Sequence, residues 1–371
     1  MAATSPVTAT GGYASQPYDR AKAVKDFDES KIGVKGLVDS GLQTIPPFFV
    51  HPPETLSDLG SRPGSDSAVP TVDLSGVTDS PARRAAAVDQ IRRAASSLGF
   101  FQITNHGIPQ EALDRTINSI RAFHEQSTAT KARLYRREIS TGINFISNVD
   151  LYNSQAASWR DTLQVRLGPT LADREEIPEV CRDEIVEWDR EIRRLGGVLM
   201  GLMSEGLGLE EGKFKEMTFT EGRMMVGHYY PFCPQPDLTV GLKSHADPGV
   251  LTVLLQDHIG GLQVRSSEGW LDVKPVRGAL VINVGDLLQI VSNEAYKSAD
   301  HRVLANPSQE PRVSIAVFFN PSQRESVFGP LPELTSEEKP PLYRNFTYDE
   351  FMTRFFKKEL DGKSLTNFFR K

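Results

Sequence analysis

The sequence predicts an α+β protein with a mainly β core, in which an antiparallel sandwich or barrel is flanked by N-terminal and C-terminal helices. After about residue 222, short apolar segments are separated by Gly, Pro, Asn or Asp roughly every eight to twelve residues. Before that point, long stretches carry apolar residues at helical spacing, and residues 347–369 return to that spacing. The chain does not alternate strands with helices as parallel sheets require.

The N-terminal segments are short and irregular. Residues 1–20 are expected to be a disordered tail, because they are rich in Ser, Thr and Ala and lack the segments of a secretory signal. Residues 19–41 predict one or two short helices that end at Gly41. Residues 44–54 are rich in Pro and aromatic side chains, which predicts an extended segment packed on the domain. The composition of residues 55–68 predicts a loop.

Long helices dominate the chain up to about residue 208. Short strands are predicted at residues 69–77 and 100–107. Ser80 is a candidate N-cap for the first long helix, and Gly99 ends it. Apolar residues at helical spacing also cover residues 109–135 and about 183–208.

The β-rich half contains seven strand candidates, all short, apolar and bounded by turn residues. They are residues 223–230, 250–257, 262–267, 270–276, 279–286, 301–307 and 312–320. The chain then returns to a helix, where Thr347 and Glu350 have the spacing of a capping box.

Composition excludes several classes of function. Hydrophobic residues make up 39% and charged residues 24% of the 371 residues, which is ordinary for a globular protein. The formal net charge is −6 without a basic cluster, so neither a nucleic-acid nor a membrane-surface partner is expected. Cys181 and Cys233 lack metal-site spacing and are expected to be free thiols in a reducing, cytoplasmic compartment.

The first candidate for chemistry is the stretch SHADPGVLTVLLQD, residues 244–257. If residues 245–247 are extended, the side chains of His245 and Asp247 point to the same face. An imidazole and a carboxylate placed together can bind two adjacent positions of a metal ion. A surface turn that leads into an ordinary strand would give the same two residues, so this pair alone does not decide between the interpretations.

A second histidine strengthens the metal hypothesis. His301 follows Asp247 by 54 residues, and four strand-sized segments separate them. In a closed sheet that is about enough chain to return a strand beside its starting point. Two histidines and one carboxylate form the facial triad of non-haem Fe(II) oxygenases, which leaves open positions for a co-substrate and O₂. A structural zinc site would more often have a fourth ligand, and neither cysteine is placed to supply it.

A charged residue inside an apolar strand suggests the co-substrate. Arg312 and Ser314 are two residues apart in an apolar segment and therefore share a face. A buried guanidinium needs a partner, and its fork can bind a carboxylate bidentately while the hydroxyl donates a further hydrogen bond. The partner is either an internal carboxylate or a small dicarboxylate whose other end binds the metal. Tyr230 is placed to donate its phenol to the same carboxylate.

These motifs, in this order, resemble the plant Fe(II)- and 2-oxoglutarate-dependent dioxygenases. The resemblance covers about residues 20–365 and includes HYYPFCP, HADPGVLTVLLQD, LVINVGDLLQIVSN, HRV and RVSIAVFFNP, with LGFFQITNHGI and SWRDTL in the N-terminal half. The N-terminal head, residues 26–53, resembles the branch of aminocyclopropanecarboxylate-oxidase homologues, which includes the benzoxazinoid-glucoside dioxygenase of grasses. The resemblance implies a double-stranded β-helix of the jelly-roll or cupin-like type. It divides the chain into the tail, an N-terminal region at 21–180 and a jelly-roll region with a C-terminal helix at 181–371.

The resemblance also implies residue roles and cofactors. His245, Asp247 and His301 would bind Fe(II). Arg312 and Ser314, assisted by Tyr230, would bind 2-oxoglutarate, with O₂ as oxidant and ascorbate supporting activity. The family usually has Asn two residues before this tyrosine, where this chain has His228. Because histidine binds metals, His228 as a fourth metal ligand stays an open alternative.

The substrate is expected to be a small molecule, bound by a monomer. Arg312 and Ser314 are called the clamp below. Phe318 and Phe319 follow the clamp, and one of them is expected to face the pocket. Residues 144–161 and the C-terminal helix are further candidate walls. The resemblance favours hydroxylation of an aromatic or heteroaromatic plant metabolite, such as a benzoxazinoid glucoside or a phenylpropanoid. The alternatives are an ascorbate-dependent aminocyclopropanecarboxylate oxidase and a non-catalytic binding protein on the same scaffold.

Overall fold

Eleven α-helices lie in the part of the chain that the structure describes. The computed structural model describes residues 18–59, 68–138, 142–357 and 364–371, so the predicted tail falls outside it up to residue 17. The helices are α1 Arg20–Ser30, α2 Gly33–Asp39, α3 Pro53–Leu59, α4 Pro81–Ser97, α5 Gln110–Glu125, α6 Thr128–Ala132, α7 Arg182–Gly206, α8 Lys213–Glu216, α9 Asp286–Val291, α10 Tyr348–Lys357 and α11 Leu365–Phe369. Across these described ranges, none of the helices has the length and apolar character to cross a bilayer.

The strands form a large sheet, a smaller sheet and a short two-stranded ribbon. They are β1 Thr71–Asp73, β2 Phe100–Thr104, β3 Ile143–Ile146, β4 Asp161–Gly168, β5 Gly222–Tyr230, β6 Val240–His245, β7 Leu251–Gln256, β8 Leu262–Ser266, β9 Gly269–Asp272, β10 Leu280–Val284, β11 His301–Leu304, β12 Arg312–Asn320, β13 Val327–Phe328 and β14 Phe346–Thr347. The large sheet has the order β1-β2-β10-β7-β12-β5-β4-β3, and the smaller sheet has the order β6-β11-β8-β9.

All seven predicted strands of the β-rich half are present, as β5 and β7–β12. From β5 to β12, consecutive strands alternate between the two sheets or pair as a hairpin, and among the described pairs of named strands only β1–β2 is parallel. The chain therefore winds as a double-stranded β-helix, which confirms the predicted fold class. The apolar run of β10 is buried along its whole length because it lies between β2 and β7.

The long helices cover the outer side of the large sheet. In α7, Trp188, Ile192, Leu195 and Leu199 are buried at helical spacing and face the sheet core. The Ser80 hydroxyl accepts a hydrogen bond from the Arg83 backbone N–H at the start of α4, as expected of an N-cap. This layer leaves the opposite face of the large sheet to pack against the smaller sheet.

The N-terminal head docks on β4 through a buried carboxylate. Asp161 accepts hydrogen bonds from the backbone N–H groups of Val34 and Lys35, at 2.8 and 2.9 Å, and from the Ser147 hydroxyl. The start of α2 therefore has the acceptor that its unpaired N–H groups require. Gly33 has a φ of +69° at this junction, and a Cβ there would lie 2.6 Å from the carboxylate.

Part of the predicted loop at residues 55–68 is helical. Residues 55–59 belong to α3, while residues 60–67 lie outside the described residues. Pro53 occupies the first helical position, where its missing N–H costs nothing, and Asp58 anchors the far end. The Asp58 carboxylate accepts from Arg302 at 2.9 Å and from the Trp270 indole at 2.7 Å, so a tertiary contact stabilises a helix that composition did not indicate.

The C-terminal helix begins with half of the predicted capping box. The Thr347 hydroxyl accepts from the backbone N–H of Glu350 at 3.1 Å. The Glu350 carboxylate does not return to Thr347 but pairs with Arg344 at 2.6 Å. Phe351 packs in the core, where it stacks on Phe346 and contacts Phe369, whereas Phe356 is 54% exposed. None of these aromatic residues lines the pocket described below.

Candidate active site

Two strands of the smaller sheet bring the two predicted histidine ligands together. His245 ends β6 and His301 begins β11, and the antiparallel pairing of these strands places the two residues opposite each other. Their ring centroids are 4.2 Å apart. Between them the chain forms β7 to β10 and returns beside β6, as the spacing of the sequence indicates.

Each histidine is oriented through its own backbone. His245 Nδ1 lies 2.9 Å from the carbonyl oxygen of Lys243, and His301 Nδ1 lies 3.2 Å from that of Ala299. A carbonyl only accepts hydrogen bonds, so the proton is on Nδ1 and the Nε2 lone pair is free. Burial, and after it the neighbouring His301, holds the pKa of His245 well below its usual value. The ring is therefore neutral, as a metal ligand must be.

Asp247 approaches both histidines from the loop after β6. Its Oδ1 atom lies 3.6 Å from His245 Nε2 and 3.7 Å from His301 Nε2. The paired strand β6 ends at His245, so Asp247 lies two residues beyond it. The loop after β6 still places the Asp247 carboxylate beside the two histidines, as predicted for His245 and Asp247.

The other carboxylate oxygen of Asp247 is held by two polar residues of the large sheet. Oδ2 accepts from the Thr252 hydroxyl at 2.5 Å and from the Asn283 amide at 2.8 Å. Burial acts to raise the pKa of Asp247, but the two histidines and these hydrogen bonds together lower it. The carboxylate is thus ionised and turned with Oδ1 towards the histidines. Thr252 and Asn283 were not predicted as site residues. The available signal is that each is a polar residue inside an apolar strand.

The donor set fits a non-haem iron ion. The ligand atoms of His245, Asp247 and His301 lie within 4.8 Å of one another. Two imidazoles and one carboxylate suit Fe(II) and leave room for further ligands. Among the described residues, no other His, Cys, Asp or Glu joins this group.

The predicted clamp residues meet on the inner face of the large sheet. Arg312 pairs with Tyr230, and Ser314 with His228, in the register of β12 and β5. Arg312 is 1% exposed, donates from Nη1 to Ser314 and from Nη2 to Gln256, and lies 4.9 Å from the Tyr230 ring centre. Its buried Nε has no hydrogen-bond partner within the described ranges. A buried guanidinium without a carboxylate partner fits the distal carboxylate of 2-oxoglutarate.

His228 stands in the same pocket but apart from the metal group. Its Nδ1 lies 3.0 Å from the Thr162 hydroxyl, and its ring centre is 5.9 Å from that of Tyr230. Burial, reinforced by the charges of Arg160 and Arg312, lowers its pKa well below the usual value. His228 is therefore neutral, and the fourth-ligand interpretation finds no support in its position.

One pocket contains the triad, the clamp and one of the two phenylalanines. It is lined by Phe100, His228, Tyr230, Leu242, His245, Asp247, Thr252, Leu254, Leu262, Asn283, His301, Val303, Arg312, Ser314, Ala316 and Phe318. Phe319 does not line it, because strand alternation turns its ring to the helical layer against Gly196. A methyl group on Gly196 would come within 2.5 Å of that ring.

A separate surface cavity of about 620 Å³ lies outside the smaller sheet. It is lined by residues of α3 together with Val240, Lys243, Ser244, Arg265 and Arg302, and it contains no triad residue. Its α3 wall borders residues that the structure does not describe. The chemistry-bearing residues converge in the other pocket.

Comparisons with known proteins agree with this geometry. Residues 221–321 match the 2OG-Fe(II) oxygenase superfamily, and residues 69–183 match a family described as non-haem dioxygenase in morphine synthesis N-terminal. The 1-aminocyclopropane-1-carboxylate oxidase homolog 1 of Arabidopsis thaliana is 47% identical over 349 residues, which cover 93% of this chain and 95% of the relative. The chain belongs to the 2OG-Fe(II) oxygenase superfamily.

Other relatives of this oxygenase support the same assignment. Deacetoxyvindoline 4-hydroxylase of Catharanthus roseus is 42% identical, with 94% of this chain and 89% of that protein covered. The crystal structure of JOX2 in complex with 2OG, Fe and JA is 33% identical and has a TM-score of 0.79, covering 91% of this chain and 97% of that one. This oxygenase is an enzyme that uses Fe(II) and 2-oxoglutarate, and the predicted likeness to aminocyclopropanecarboxylate-oxidase homologues is confirmed.

Proposed function

We propose that this oxygenase hydroxylates a small aromatic or heteroaromatic plant metabolite, with 2-oxoglutarate and O₂ as co-substrates. We assign Fe(II) binding to His245, Asp247 and His301, and binding of the distal 2-oxoglutarate carboxylate to Arg312 and Ser314 with help from Tyr230. The observation that carries this proposal is the convergence, in one pocket, of a three-ligand group and a buried guanidinium that has no carboxylate partner among the described residues. Overall, one O₂ oxidises 2-oxoglutarate to succinate and CO₂ and the substrate C–H to C–OH.

Bound Fe(II) supplies the redox chemistry that couples O₂ to both oxidations. The chain itself holds the metal ligands in fixed orientations. Thr252 and Asn283 fix the Asp247 carboxylate, and the backbone carbonyls of Lys243 and Ala299 fix the two imidazoles. Such preorganised ligands do not have to reorganise when the co-substrate binds.

The remaining pocket surface excludes water and orients the substrate. Leu242, Leu254, Leu262 and Val303 give the pocket an apolar wall, and the Phe100 ring lies 5.2 Å from that of His301. Phe318 is partly exposed to the same space. Apolar and aromatic walls favour a flat, unsaturated substrate and keep bulk water from the reacting C–H bond.

The name of one relative supports hydroxylation as the outcome. Deacetoxyvindoline 4-hydroxylase is 42% identical over nearly the whole chain. A benzoxazinoid glucoside or a phenylpropanoid is the specific class that we propose to test first. We further propose that the protein acts in the cytoplasm as a monomer with ascorbate as a supporting reductant. The buried free thiols of Cys181 and Cys233 are compatible with that reducing compartment.

A substrate screen tests the proposal. Purified protein with Fe(II), ascorbate and 2-oxoglutarate is incubated with phenolics, indoles and benzoxazinoid glucosides, and succinate release is measured together with a hydroxylated product. We expect stoichiometric succinate and a product heavier by one oxygen atom for at least one aromatic compound. Oxygen uptake on aminocyclopropanecarboxylate without succinate would favour the ascorbate-dependent alternative. Failure to bind Fe(II) and 2-oxoglutarate would favour a non-catalytic binding protein.

A further inference from the structure

Arg160 lies beside the β4–β5 pair and has no role in iron or 2-oxoglutarate binding as described above. It immediately precedes β4, which pairs with β5 so that Asp161 faces Tyr229 and Thr162 faces His228. If the register is continued by one residue beyond the start of β4, Arg160 falls beside Tyr230 and on the face of Thr162. That is also the face of the clamp, because β12 pairs Arg312 with Tyr230 on the other side of β5.

The positive charge of Arg160 acts on residues of the pocket. Its positive charge contributes to lowering the pKa values of both His228 and His245, two residues that line the pocket. For His228, Arg160 is a larger electrostatic influence than Arg312. The guanidinium is thus near the histidine that replaces the usual asparagine of the family, with Tyr230 between it and the clamp.

This guanidinium lacks a partner. The Nε and Nη1 atoms of Arg160 are buried and have no hydrogen-bond partner anywhere in the described ranges. The acidic residues that act on its charge, Asp150 and Asp161, are both committed elsewhere. Asp150 pairs with Lys243, and Asp161 accepts from the head of the chain. Arg160 is half-buried as a residue, but its Nε and Nη1 atoms have neither a partner nor access to solvent. Such atoms are costly to leave without an acceptor, which favours a bound anion at this position.

We propose that Arg160 binds a carboxylate group of the organic substrate, so that the oxygenase acts on an aromatic or heteroaromatic acid. The planar fork of an arginine matches a carboxylate bidentately. This proposal rests on the proposed hydroxylase function and narrows its substrate class. Binding of the carboxylate at the β4 edge would fix the substrate relative to the metal and select which C–H bond faces it.

The 2-oxoglutarate molecule is not the expected partner of Arg160. Neighbouring strands are about 4.8 Å apart, and β4 and β12 lie on opposite sides of β5, so the backbones at Arg160 and Arg312 are about 10 Å apart. The distal carboxylate of 2-oxoglutarate is assigned to Arg312, and its other end to the metal. The two arginines thus start from different strands, and we assign Arg160 to a second carboxylate, that of the substrate.

Matched acids and esters test the proposal. The probes are indole-3-acetate and 4-hydroxycinnamate, each with its methyl ester, and the proteins are wild type, Arg160→Gln and Arg160→Lys. Binding is measured calorimetrically with 2-oxoglutarate and Mn(II) in place of iron, and turnover is measured as substrate-stimulated succinate release with Fe(II). Arg277→Gln is the control, since that side chain is 82% exposed at the surface. Thermal unfolding of each variant shows whether it is folded.

We expect wild type to prefer at least one acid over its ester, and Arg160→Gln to weaken acid binding about 10- to 100-fold while ester binding changes little. Arg160→Lys keeps the charge and should recover part of the preference, a rescue that a purely structural role would not give. The control should keep the full acid preference of wild type.

Two results would overturn the proposal. One is the absence of any acid preference in wild type, which needs no variant to fold. The other is an unchanged preference in Arg160→Gln, or a loss confined to 2-oxoglutarate affinity. The proposed function fails separately: wild type would then form no succinate from 2-oxoglutarate with Fe(II), whatever acid or ester is added.

Discussion

His301 faces His245 across the β6–β11 pair, and both imidazoles turn Nε2 towards the same carboxylate oxygen of Asp247. This relationship depends on the closed path of the chain through β7 to β10, since the two histidines are 56 residues apart in their numbering. The smaller sheet thus supplies two ligands, and the large sheet supplies the hydrogen bonds that hold the third.

Removal of a triad side chain should abolish turnover. His245→Ala or Asp247→Ala leaves two of the three protein ligands, so Fe(II) should bind much more weakly and substrate-dependent succinate release should fall to background. Metal titration by calorimetry and a succinate assay measure the two effects. His258→Ala is the matched control, because that histidine is 73% exposed and lies outside the pocket. Full activity in either triad variant would disprove the site assignment.

Removal of the hydrogen bonds to Asp247 should weaken the metal without removing a ligand. Thr252→Val keeps the shape of the side chain but loses the hydroxyl that binds Oδ2, and Asn283→Ala loses the other donor. Outer partners of metal ligands are typically worth about 10- to 100-fold in metal affinity or activity. Calorimetric titration with Mn(II) measures the change, and Thr252→Ser should recover most of it. Unchanged affinity in both variants would show that Asp247 orients itself without them.

The sequence could predict most of the triad because its signals are local. His245 and Asp247 are two residues apart, and the number of strands before His301 gives the return of the chain. Alternation predicted that one of Phe318 and Phe319 faces the pocket, and the structure places Phe318 there. The apolar patterns of the seven strands after residue 222 are long enough to predict those strands without tertiary information.

The sequence could not predict contacts between distant segments. β6 carries Gly241, Lys243 and Ser244, so its sequence does not predict a strand. It forms because it pairs with β11, which follows much later in the chain. The short helix α3 depends on the contact of Asp58 with Arg302, which is 244 residues away. Arg160 lies in the predicted wall segment 144–161, but no sequence pattern distinguishes it there, because the unpaired Nε and Nη1 atoms are apparent only once its neighbours are known.

Changes in the clamp should raise the requirement for 2-oxoglutarate. Arg312→Ala removes the proposed partner of the distal carboxylate and should raise the KM for 2-oxoglutarate steeply. Ser314→Ala removes one hydroxyl, a loss of about 1 kcal/mol or roughly five-fold. Steady-state succinate formation at varied 2-oxoglutarate measures both effects, with thermal unfolding to verify that Arg312→Ala is folded. An unchanged KM in a folded Arg312→Ala would contradict the assignment of this residue to the clamp.

Buried His124 should make the protein less stable as the pH falls below neutrality. Its Nε2 lies 3.0 Å from the carbonyl oxygen of Gly227 and so donates to it, while the buried Nδ1 has no partner in the described part of the chain. Burial, opposed only in part by this hydrogen bond, lowers the pKa of His124 to about 3. An unfolded histidine has a pKa of about 6.5, so between about pH 6.5 and 3 the unfolded state binds a proton that the folded state does not.

The contribution of His124 is therefore intact above about pH 6.5 and is lost as the pH falls towards 3. Between pH 7.5 and 5.5 it should lower the free energy of unfolding by about 1.4 kcal/mol. His124→Gln keeps a donor for Gly227 but does not titrate, and other buried histidines such as His106 titrate equally in both proteins. Urea unfolding of wild type and His124→Gln at several pH values isolates the effect. The difference in stability should shift in favour of the variant as the pH falls, and a constant difference would show that His124 is not the titrating group.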